Sequence, residues 1–298
     1  MSDRLTAWGY AASWRLARAL PEPVAAAASR AVADLATRRG GRPVETLRDN
    51  LRRVVGAQVP GPALEHLLRC AMRSYARYYL EAFRLPALRP DQRRECFRLA
   101  GAVRLAADVA AGRGAVLALP HAGNWDAAGA WVAAQGWPVV TVVERLEPAA
   151  LYARFLDFRR GLGLEILPLT GGDRPPLRVL VEKLRAGYVV PLLADRDLGG
   201  SGVPVRFFGG RARMPGGPAM LALLTGAPLY TVRMWYDAEG PAGALEGPLP
   251  LPADGPRAQR VGRLTQEIAD RFAAGIAAHP ADWHMLQPLW DDASAGAA

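Results

Sequence analysis

The sequence predicts an α/β protein with a mostly parallel central sheet flanked by helices, preceded by a helical N-terminal portion. Two observations support this prediction. After residue 101, short apolar runs alternate with helical stretches, and before it apolar residues recur at helical spacing between prolines. Short apolar strands that alternate with helices are typical of βαβ units, in which helices cover both faces of the sheet.

Three helices are predicted in the first third of the chain. Leu5–Leu20 and Pro23–Thr37 are amphipathic, and a third helix lies between Pro62 and Pro86. The third helix is predicted by the apolar spacing of Leu64, Leu67, Leu68, Ala71, Met72, Tyr75, Tyr79 and Ala82. The first two could rest in the headgroup layer of a membrane or pack against the body of the protein.

The rest of the chain is predicted to form the sheet and its helices. The predicted strands are Gly114–Leu119, Trp137–Val143, Leu164–Pro168, Tyr188–Ala194 and Pro228–Trp235. The predicted helices are Asp126–Ala134, Pro148–Leu162, Pro176–Ala186, Gly217–Leu224 and a last one with Val261, Leu264, Ile268, Phe272 and Ile276 on one stripe. With no internal repeat or low-complexity linker, we expect a single domain, 1–298, made of a helical portion, 1–100, and an α/β body, 101–298.

The positive charge is concentrated in the first third of the chain. Residues 1–100 hold 18 arginines and nine acidic residues, whereas residues 101–298 hold 19 basic and 19 acidic ones, so the formal charge of +9 lies entirely in the N-terminal portion. Arg15, Arg18 and Arg30 lie beside Trp8 and Trp14. This pattern suits an anionic membrane surface or a nucleic acid, or else is a solvated arginine-rich helical face.

Composition and segment lengths argue against a membrane-spanning, secreted or disulfide-stabilised protein. No apolar segment reaches the roughly 18 residues of a membrane-spanning helix, and no secretion signal is expected at the N-terminus. Cys70 and Cys96 form neither a disulfide framework nor a metal-binding pair, which fits a reducing compartment. If this protein associates with a membrane, it is therefore expected to lie on the membrane surface and not to span it.

The stretch LPHAGNWD, 119–126, places His121 and Asp126 five positions apart at the end of a predicted strand. Ligands of open α/β sheets bind beyond the carboxyl ends of strands. Because Gly123 and Asn124 let the chain turn, we expect Asp126 to fold back onto the imidazole, fix its tautomer and leave the other nitrogen as a base. No GxSxG motif or nucleophilic cysteine is recognisable, so this base would act directly on a substrate hydroxyl.

Charged residues also follow the neighbouring predicted strands. The stretch VVERLEP brings Glu144 and Arg145 to a strand end, and FLDFRRGLGLEILPL contributes Arg159. LLADRDLGGSGVPVRFFGG places Asp195, Arg196 and Asp197 at a further end, followed by a glycine-rich loop. Each residue alone could be a surface salt bridge, but together they predict one polar site at the edge of the sheet.

These motifs resemble the glycerolipid acyltransferase superfamily, whose signature is an HxxxxD pair after a strand. Within it, the chain is similar to the bacterial late acyltransferases of lipid A biosynthesis, and among those to the actinobacterial phosphatidylinositol mannoside acyltransferases. The similarity also covers SWRLARALPEPVA and RSYARYYLEAFRLP near the start and HPADWHMLQPLW near the end. It implies transfer of a long-chain acyl group, typically palmitoyl, from acyl-CoA to a mannose hydroxyl, without an acyl-enzyme or a cofactor.

The resemblance also implies roles for individual residues. His121 would be the general base and Asp126 would orient it. Arg159 would bind the acyl donor or stabilise the developing negative charge. Glu144 would bind the acceptor or hold Arg159 in place. The remaining substrate-binding candidates are Asp195, where relatives could carry the longer glutamate, and the loop residues Arg196, Ser201 and Gly202, which could meet the coenzyme's phosphates or pantetheine. Trp125, Trp131 and the Met220–Leu224 segment would line an apolar groove for the acyl chain.

The implied partners are acyl-CoA, phosphatidylinositol mannosides and an anionic membrane, at the cytoplasmic face of the plasma membrane, with no nucleic acid and no protein partner. Three other readings stay open: an acyltransferase for a different glycolipid such as a lipid A precursor, a hydrolase that uses the motif for a metal or water, and a non-enzymatic basic protein that binds lipid or nucleic acid. A metal site would need ligands that His66, His279 and His284 do not supply at a suitable spacing. No metal is therefore expected.

Overall fold

The structure, a computed structural model, describes residues 18–144, 149–197 and 199–291. Its N-terminal part holds the helices α1 (Glu22–Arg39), α2 (Arg42–Val55), α3 (Gly61–Arg84) and the short α4 (Pro90–Glu95). Each begins with a proline in its first turn, where the missing N–H costs no hydrogen bond. The predictions for Pro23–Thr37 and for the helix between Pro62 and Pro86 are confirmed, whereas Leu5–Leu20 lies mostly outside the described residues.

A five-stranded sheet forms the centre of the α/β body. Its spatial order is β1 (Arg98–Ala100), β9 (Gly240–Glu246), β8 (Leu229–Asp237), β2 (Ala115–Leu119) and β5 (Val189–Leu193). All neighbouring strands are parallel except β8 and β9, which form an antiparallel pair. The mostly parallel sheet predicted from the sequence is therefore confirmed.

Two smaller sheets complete the strands. The parallel pair β3 (Val140–Val143) and β4 (Glu165–Pro168) meets the central sheet through a bridge between Val139 and Val189. An antiparallel hairpin, β6 (Val203–Phe207) and β7 (Gly210–Met214), follows β5.

Helices cover both faces of the central sheet. They are α5 (Ala102–Ala110), α6 (Trp125–Ala134), α7 (Ala149–Gly161), α8 (Pro176–Arg185), α9 (Gly217–Thr225) and α10 (Arg257–Ala278). Alternate residues of β2 point to opposite faces. Leu117 and Leu119 accordingly belong to the apolar cluster on the α6 side, while Val116 and Ala118 belong to the cluster that α9 and α10 cover.

Strands β1, β6, β7 and β9 were not predicted. Glycine and arginine interrupt the apolar pattern of these segments, as in GPAGALE of β9. Gly243 in β9 is required by packing, because a Cβ atom there would lie 2.8 Å from the ring of Phe97. The expected division at residue 100 stays a prediction.

Among the residues that the structure describes, no helix combines the length and apolarity needed to cross a membrane.

Candidate active site

His121 and Asp195 lie close together because each follows the end of one of two adjacent parallel strands by the same number of residues. Leu119 at the end of β2 pairs with Leu193 at the end of β5, and each polar residue comes two positions later. Since the carboxyl ends of parallel strands share one edge of the sheet, the two side chains converge there. His121 Nδ1 lies 2.5 Å from Asp195 Oδ1.

Asp195 is fully buried, and every described donor around it stabilises its ionised form. Its Oδ2 atom accepts from the backbone N–H of His121 at 2.9 Å and from Trp283 Nε1 at 3.0 Å. Burial opposes ionisation, but the nearby imidazole of His121 and these hydrogen bonds outweigh it and lower the pKa of Asp195 below its ordinary value. A charged Asp195 therefore fixes the Nδ1–H tautomer of His121.

The opposite ring nitrogen of His121 is left for a substrate. Among the described residues, His121 Nε2 has no hydrogen-bond partner, and 19% of the side chain is exposed. An imidazole held by a carboxylate at Nδ1 and open at Nε2 has the arrangement of a general base.

The predicted contact between His121 and Asp126 is wrong. Asp126 Oδ1 accepts from Arg159 Nε at 2.7 Å, and Oδ2 accepts from Arg159 Nη2 at 3.2 Å and from Tyr78 Oη at 2.7 Å. The reason is where α6 begins. Asn124 is its N-cap and accepts from the N–H of Ala127 at 2.9 Å, so Asp126 is already helical and contacts α3 and α7 instead of folding back.

Arg159 and Asp126 form a buried ion pair in the wall of the site. Their side chains are 18% and 3% exposed, respectively. Burial disfavours the charged guanidinium, but Asp126 outweighs this effect and raises the pKa of Arg159. Burial, reinforced by the carboxylate of Asp126, likewise raises the pKa of Tyr78. The pair thus joins the N-terminal helices to the α/β body through Tyr78.

Glu144 does not contact Arg159, although such a contact was one of its two expected roles. Its Oε2 accepts from Arg196 Nη2 at 2.9 Å, and Arg196 also donates to the side chain of Gln287. Glu144 is exposed at the rim of the site, and its neighbour Arg145 lies outside the described residues. Glu144 and Arg196 therefore form a polar rim near the carboxyl ends of β3 and β5.

The glycine-rich loop binds an acid of the protein itself. Asp197 accepts from the N–H of Gly202 at 2.7 Å and from that of Gly199 at 3.1 Å. Without a ligand, the Gly202 N–H is thus donated to Asp197, and the expectation that Arg196, Ser201 and Gly202 meet the coenzyme stays a prediction. A Cβ atom at Gly202 would lie 2.7 Å from the Asp197 carboxylate, which explains the glycine, while Ser201 is exposed beside it.

The C-terminal segment holds the histidine loop in place. Ala122 and Trp283 form an antiparallel bridge, His284 N donates to His121 O at 2.7 Å, and Gly123 N donates to Asp282 O at 2.9 Å. Tyr78 and Trp283 were not predicted as site residues from the sequence. The stretch HPADWHMLQPLW was the available signal for Trp283, but nothing in the sequence shows which strand ends it contacts.

His284 is a buried packing residue. It is 6% exposed, and its Nε2 lies 3.0 Å from Ser74 Oγ, which donates to Asp282 Oδ1. Burial, with a smaller contribution from His121, lowers the pKa of His284 to about 3, so this imidazole is neutral at physiological pH.

An apolar pocket opens beside the histidine. Its cavity volume is about 70 Å³, and it lies between α6 and the strands β2, β3 and β5. Trp125 and Trp131 line it as expected, whereas the Met220–Leu224 segment does not and packs into the opposite core cluster. The Trp125 ring, 5.5 Å from the His121 ring between centroids, connects the pocket to the base.

No group of three or more histidine, cysteine, aspartate or glutamate side chains that could hold a metal ion occurs in the described ranges.

Comparison with known proteins identifies the family of the chain. The family model described as bacterial lipid A biosynthesis acyltransferase matches residues 1–292. Similar proteins include the phosphatidylinositol mannoside acyltransferase of Mycolicibacterium smegmatis, 49% identical over 97% of this chain and 93% of that protein. The protein of the same name from Mycobacterium tuberculosis is 49% identical over 96% of this chain and 88% of its own length. The chain is therefore an acyltransferase and belongs to the bacterial lipid A biosynthesis acyltransferase family.

Proposed function

We propose that this acyltransferase moves a long-chain acyl group, with palmitoyl expected, from acyl-CoA to a mannose hydroxyl of phosphatidylinositol mannosides. The relatives' names support the acceptor. The proposed chemistry is supported by the His121–Asp195 pair, which lies beside an apolar pocket. This arrangement places a base next to a space suited to an acyl chain.

In the proposed reaction, His121 Nε2 takes the proton of the sugar hydroxyl while its oxygen attacks the thioester carbonyl. Asp195 stabilises the imidazolium that forms. The tetrahedral intermediate collapses with cleavage of the C–S bond, and the coenzyme A thiolate leaves and takes the proton from His121. The sugar thus becomes an ester without an acyl-enzyme.

A cysteine nucleophile is not supported by the geometry of Cys96. Its Sγ donates to Ala127 O at 3.5 Å, and burial raises its pKa to about 11. The thiolate, which is the nucleophilic form, is therefore scarce at neutral pH. Direct attack by the sugar hydroxyl fits this arrangement better.

Arg159 is assigned a positioning role in this proposal. Both oxygens of Asp126 hold its guanidinium, and the two residues line the pocket together. We therefore infer that the ion pair shapes the pocket wall near the reacting carbonyl. Glu144 and Arg196, which are paired at the rim, are the candidates for contacts with the sugar or the coenzyme.

The proposed function predicts that His121→Ala abolishes acyl transfer. The purified protein would be incubated with palmitoyl-CoA or palmitoyl-acyl carrier protein and a panel of phosphatidylinositol mannosides and lipid A precursors, and products identified by mass spectrometry. His66→Ala, on the exposed face of α3, is the matched control and should keep wild-type activity. A His121→Ala protein that still transfers acyl groups at near wild-type rate would contradict the mechanism, and products confined to lipid A precursors would contradict the acceptor.

Membrane association is proposed through the exposed face of α1, at the cytoplasmic side of the plasma membrane. Val24, Val32 and Leu35 are more than half exposed, and their spacing places them on one side of the helix. Arg30, Arg38 and Arg39 are exposed on the same helix. An apolar stripe flanked by arginines is typical of helices that lie in the headgroup layer.

The three arginines singled out in the sequence do not all support this surface. Arg30 is exposed, but Arg18 Nε donates to Phe83 O at 2.9 Å and so joins the N-terminal segment to α3. Arg15 lies outside the described residues. Arg38 and Arg39, in the last turn of α1, are therefore better placed for a test.

Replacing Arg38 and Arg39 by serine should weaken binding to vesicles that contain phosphatidylinositol by about ten- to thirtyfold at low salt, since each basic residue near an anionic surface contributes about 1 kcal/mol. Co-sedimentation at increasing salt measures the effect, which screening should reduce. Arg178→Ser/Arg185→Ser in α8 is the charge-matched control. Equal loss in both double variants would contradict a surface located on α1.

A further inference from the structure

Trp283 is attached to the active site at two points. Its backbone forms the antiparallel bridge with Ala122, next to His121, and its indole Nε1 donates to Asp195 Oδ2 at 3.0 Å. The same oxygen accepts from the backbone N–H of His121 at 2.9 Å, while Oδ1 lies 2.5 Å from His121 Nδ1. Among the described residues, the indole of Trp283 is therefore the donor to Asp195 that does not belong to His121.

Aromatic side chains hold the indole of Trp283 in this orientation. Trp283 is fully buried, and three rings surround it with centroids between 6.1 and 6.4 Å from its own: Phe207, Phe208 and Trp290. Two of these rings come from the β6–β7 hairpin, which follows the glycine-rich loop. Because side chains in a core are closely packed, the indole cannot turn away from the carboxylate without displacing these rings.

A hydrogen bond from Trp283 changes how readily the His121–Asp195 pair takes up a proton. The pair carries one negative charge while the imidazole is neutral, and no net charge after a proton is added. A donor to the carboxylate stabilises the charged form and so lowers the pH at which the pair is protonated. Since the two groups interact closely, this proton uptake is a property of the pair and not of either residue.

The other titratable groups around the pair do not replace this effect of Trp283. Burial raises the pKa of Asp195, whereas His121 and the Trp283 indole lower it. In the described ranges, the surrounding titratable side chains are neutral or bonded to one another: His284 of the C-terminal segment, Arg196 with Glu144, and Asp126 of α6 with Arg159 of α7 and Tyr78 of α3. Trp283 is thus the described side chain, other than His121, that acts on the charge of Asp195.

We propose that Trp283 is a positioning residue that sets the lower pH limit of acyl transfer, by keeping His121 in the neutral form that can accept a proton. This inference rests on the proposed function, in which the pair supplies the base, and deepens it by assigning control of that base to the C-terminal segment. Without the indole N–H, the pair holds a proton at higher pH, so the base is lost over a wider pH range.

Trp283→Phe tests the proposal, because it removes the indole N–H and retains an aromatic ring. Trp290→Phe is the matched control, since that indole is also buried in the same cluster but donates to Phe207 O at 2.9 Å instead of to a carboxylate. NMR of labelled histidine rings would give the pH midpoint of the His121 titration, with the signal assigned by its loss in His121→Ala. The midpoint should rise by about one unit, a tenfold change in proton affinity, in Trp283→Phe and stay unchanged in Trp290→Phe.

The acid limb of the pH–rate profile should move with this midpoint. Below both midpoints, kcat/KM of Trp283→Phe with palmitoyl-CoA should be about tenfold lower than that of wild type, because about a tenth as much enzyme holds the neutral imidazole. Well above both midpoints, the two rates should be similar. A packing defect alone would lower the rate equally at every pH, and that result overturns the proposal.

The NMR titration separates this inference from the proposed function, because it requires no acyl transfer. A raised midpoint in Trp283→Phe supports the inference even if no transfer to mannosides is found. An unchanged midpoint in the folded variant overturns it even if transfer is found.

A measurement on the wild-type protein decides the question if Trp283→Phe does not fold. Coupling between two sites is reciprocal, so protonation of the pair must alter the indole hydrogen bond as much as that bond alters protonation. The indole N–H resonance of Trp283 should therefore shift with the same pH midpoint as the His121 ring, and that of Trp290 should not. A Trp283 resonance that does not change over this titration overturns the proposal.

Discussion

Asp195→Asn should reduce kcat for acyl transfer by about 10³- to 10⁴-fold while leaving KM for the acyl donor nearly unchanged. The carboxylate accepts from His121 Nδ1 and so selects the tautomer whose Nε2 can act as a base. An amide that presents its NH₂ group to Nδ1 would select the opposite tautomer. Because Asp195 is fully buried behind His121, its replacement should affect the chemical step and not donor binding.

Steady-state kinetics at several donor concentrations would measure kcat and KM separately. Asp197→Asn is the matched control, because that acid lies two residues further on and binds only the N–H groups of its own loop among the described residues. It should retain activity within a few-fold. If the two variants lose activity equally, or if KM alone rises for Asp195→Asn, Asp195 does not orient the base.

Asp126→Ala should instead destabilise the fold, by about 3–5 kcal/mol, because it leaves the guanidinium of Arg159 buried without its partner. The hydroxyl of Tyr78 loses its acceptor in the same variant. Urea unfolding measures the free-energy change. At a temperature where the variant is folded, acyl transfer should fall much less than in Asp195→Asn.

The double variant Asp126→Ala/Arg159→Met distinguishes a structural pair from a catalytic acid. Replacing both charges by apolar groups should recover much of the lost free energy of unfolding, since neither charge is then buried alone. A folded Asp126→Ala protein with full stability and no detectable transfer would show that Asp126 acts in the chemistry instead.

The sequence was sufficient to predict the most apolar strands of the central sheet. β2, β5 and β8 are short apolar runs, and each was predicted at nearly its observed position. The hairpin strands β6 and β7 were missed because Arg206, Arg211 and Arg213 alternate with the buried residues. β9 was missed because its glycines remove the apolar signal where other residues pack closely.

The partner of His121 could not be deduced from local spacing. The motif suggested Asp126, but the true partner depends on β2 lying beside β5, whose paired residues are 74 positions further along the chain. That adjacency is set by long-range packing, and the position of Asp126 is set by the helix that begins at Trp125. Asp195 was selected as a site residue, yet its role required the observed strand order.

The bridge between Ala122 and Trp283 has a consequence for the synthesis of the enzyme. The third donor to Asp195 and the strand-like support of the histidine loop both come from residues 282–284, which a ribosome makes after His121 and Asp195. A nascent chain that already holds His121 and Asp195 therefore has an incomplete active site. Proteins that end before residue 283 should therefore show little or no acyl transfer.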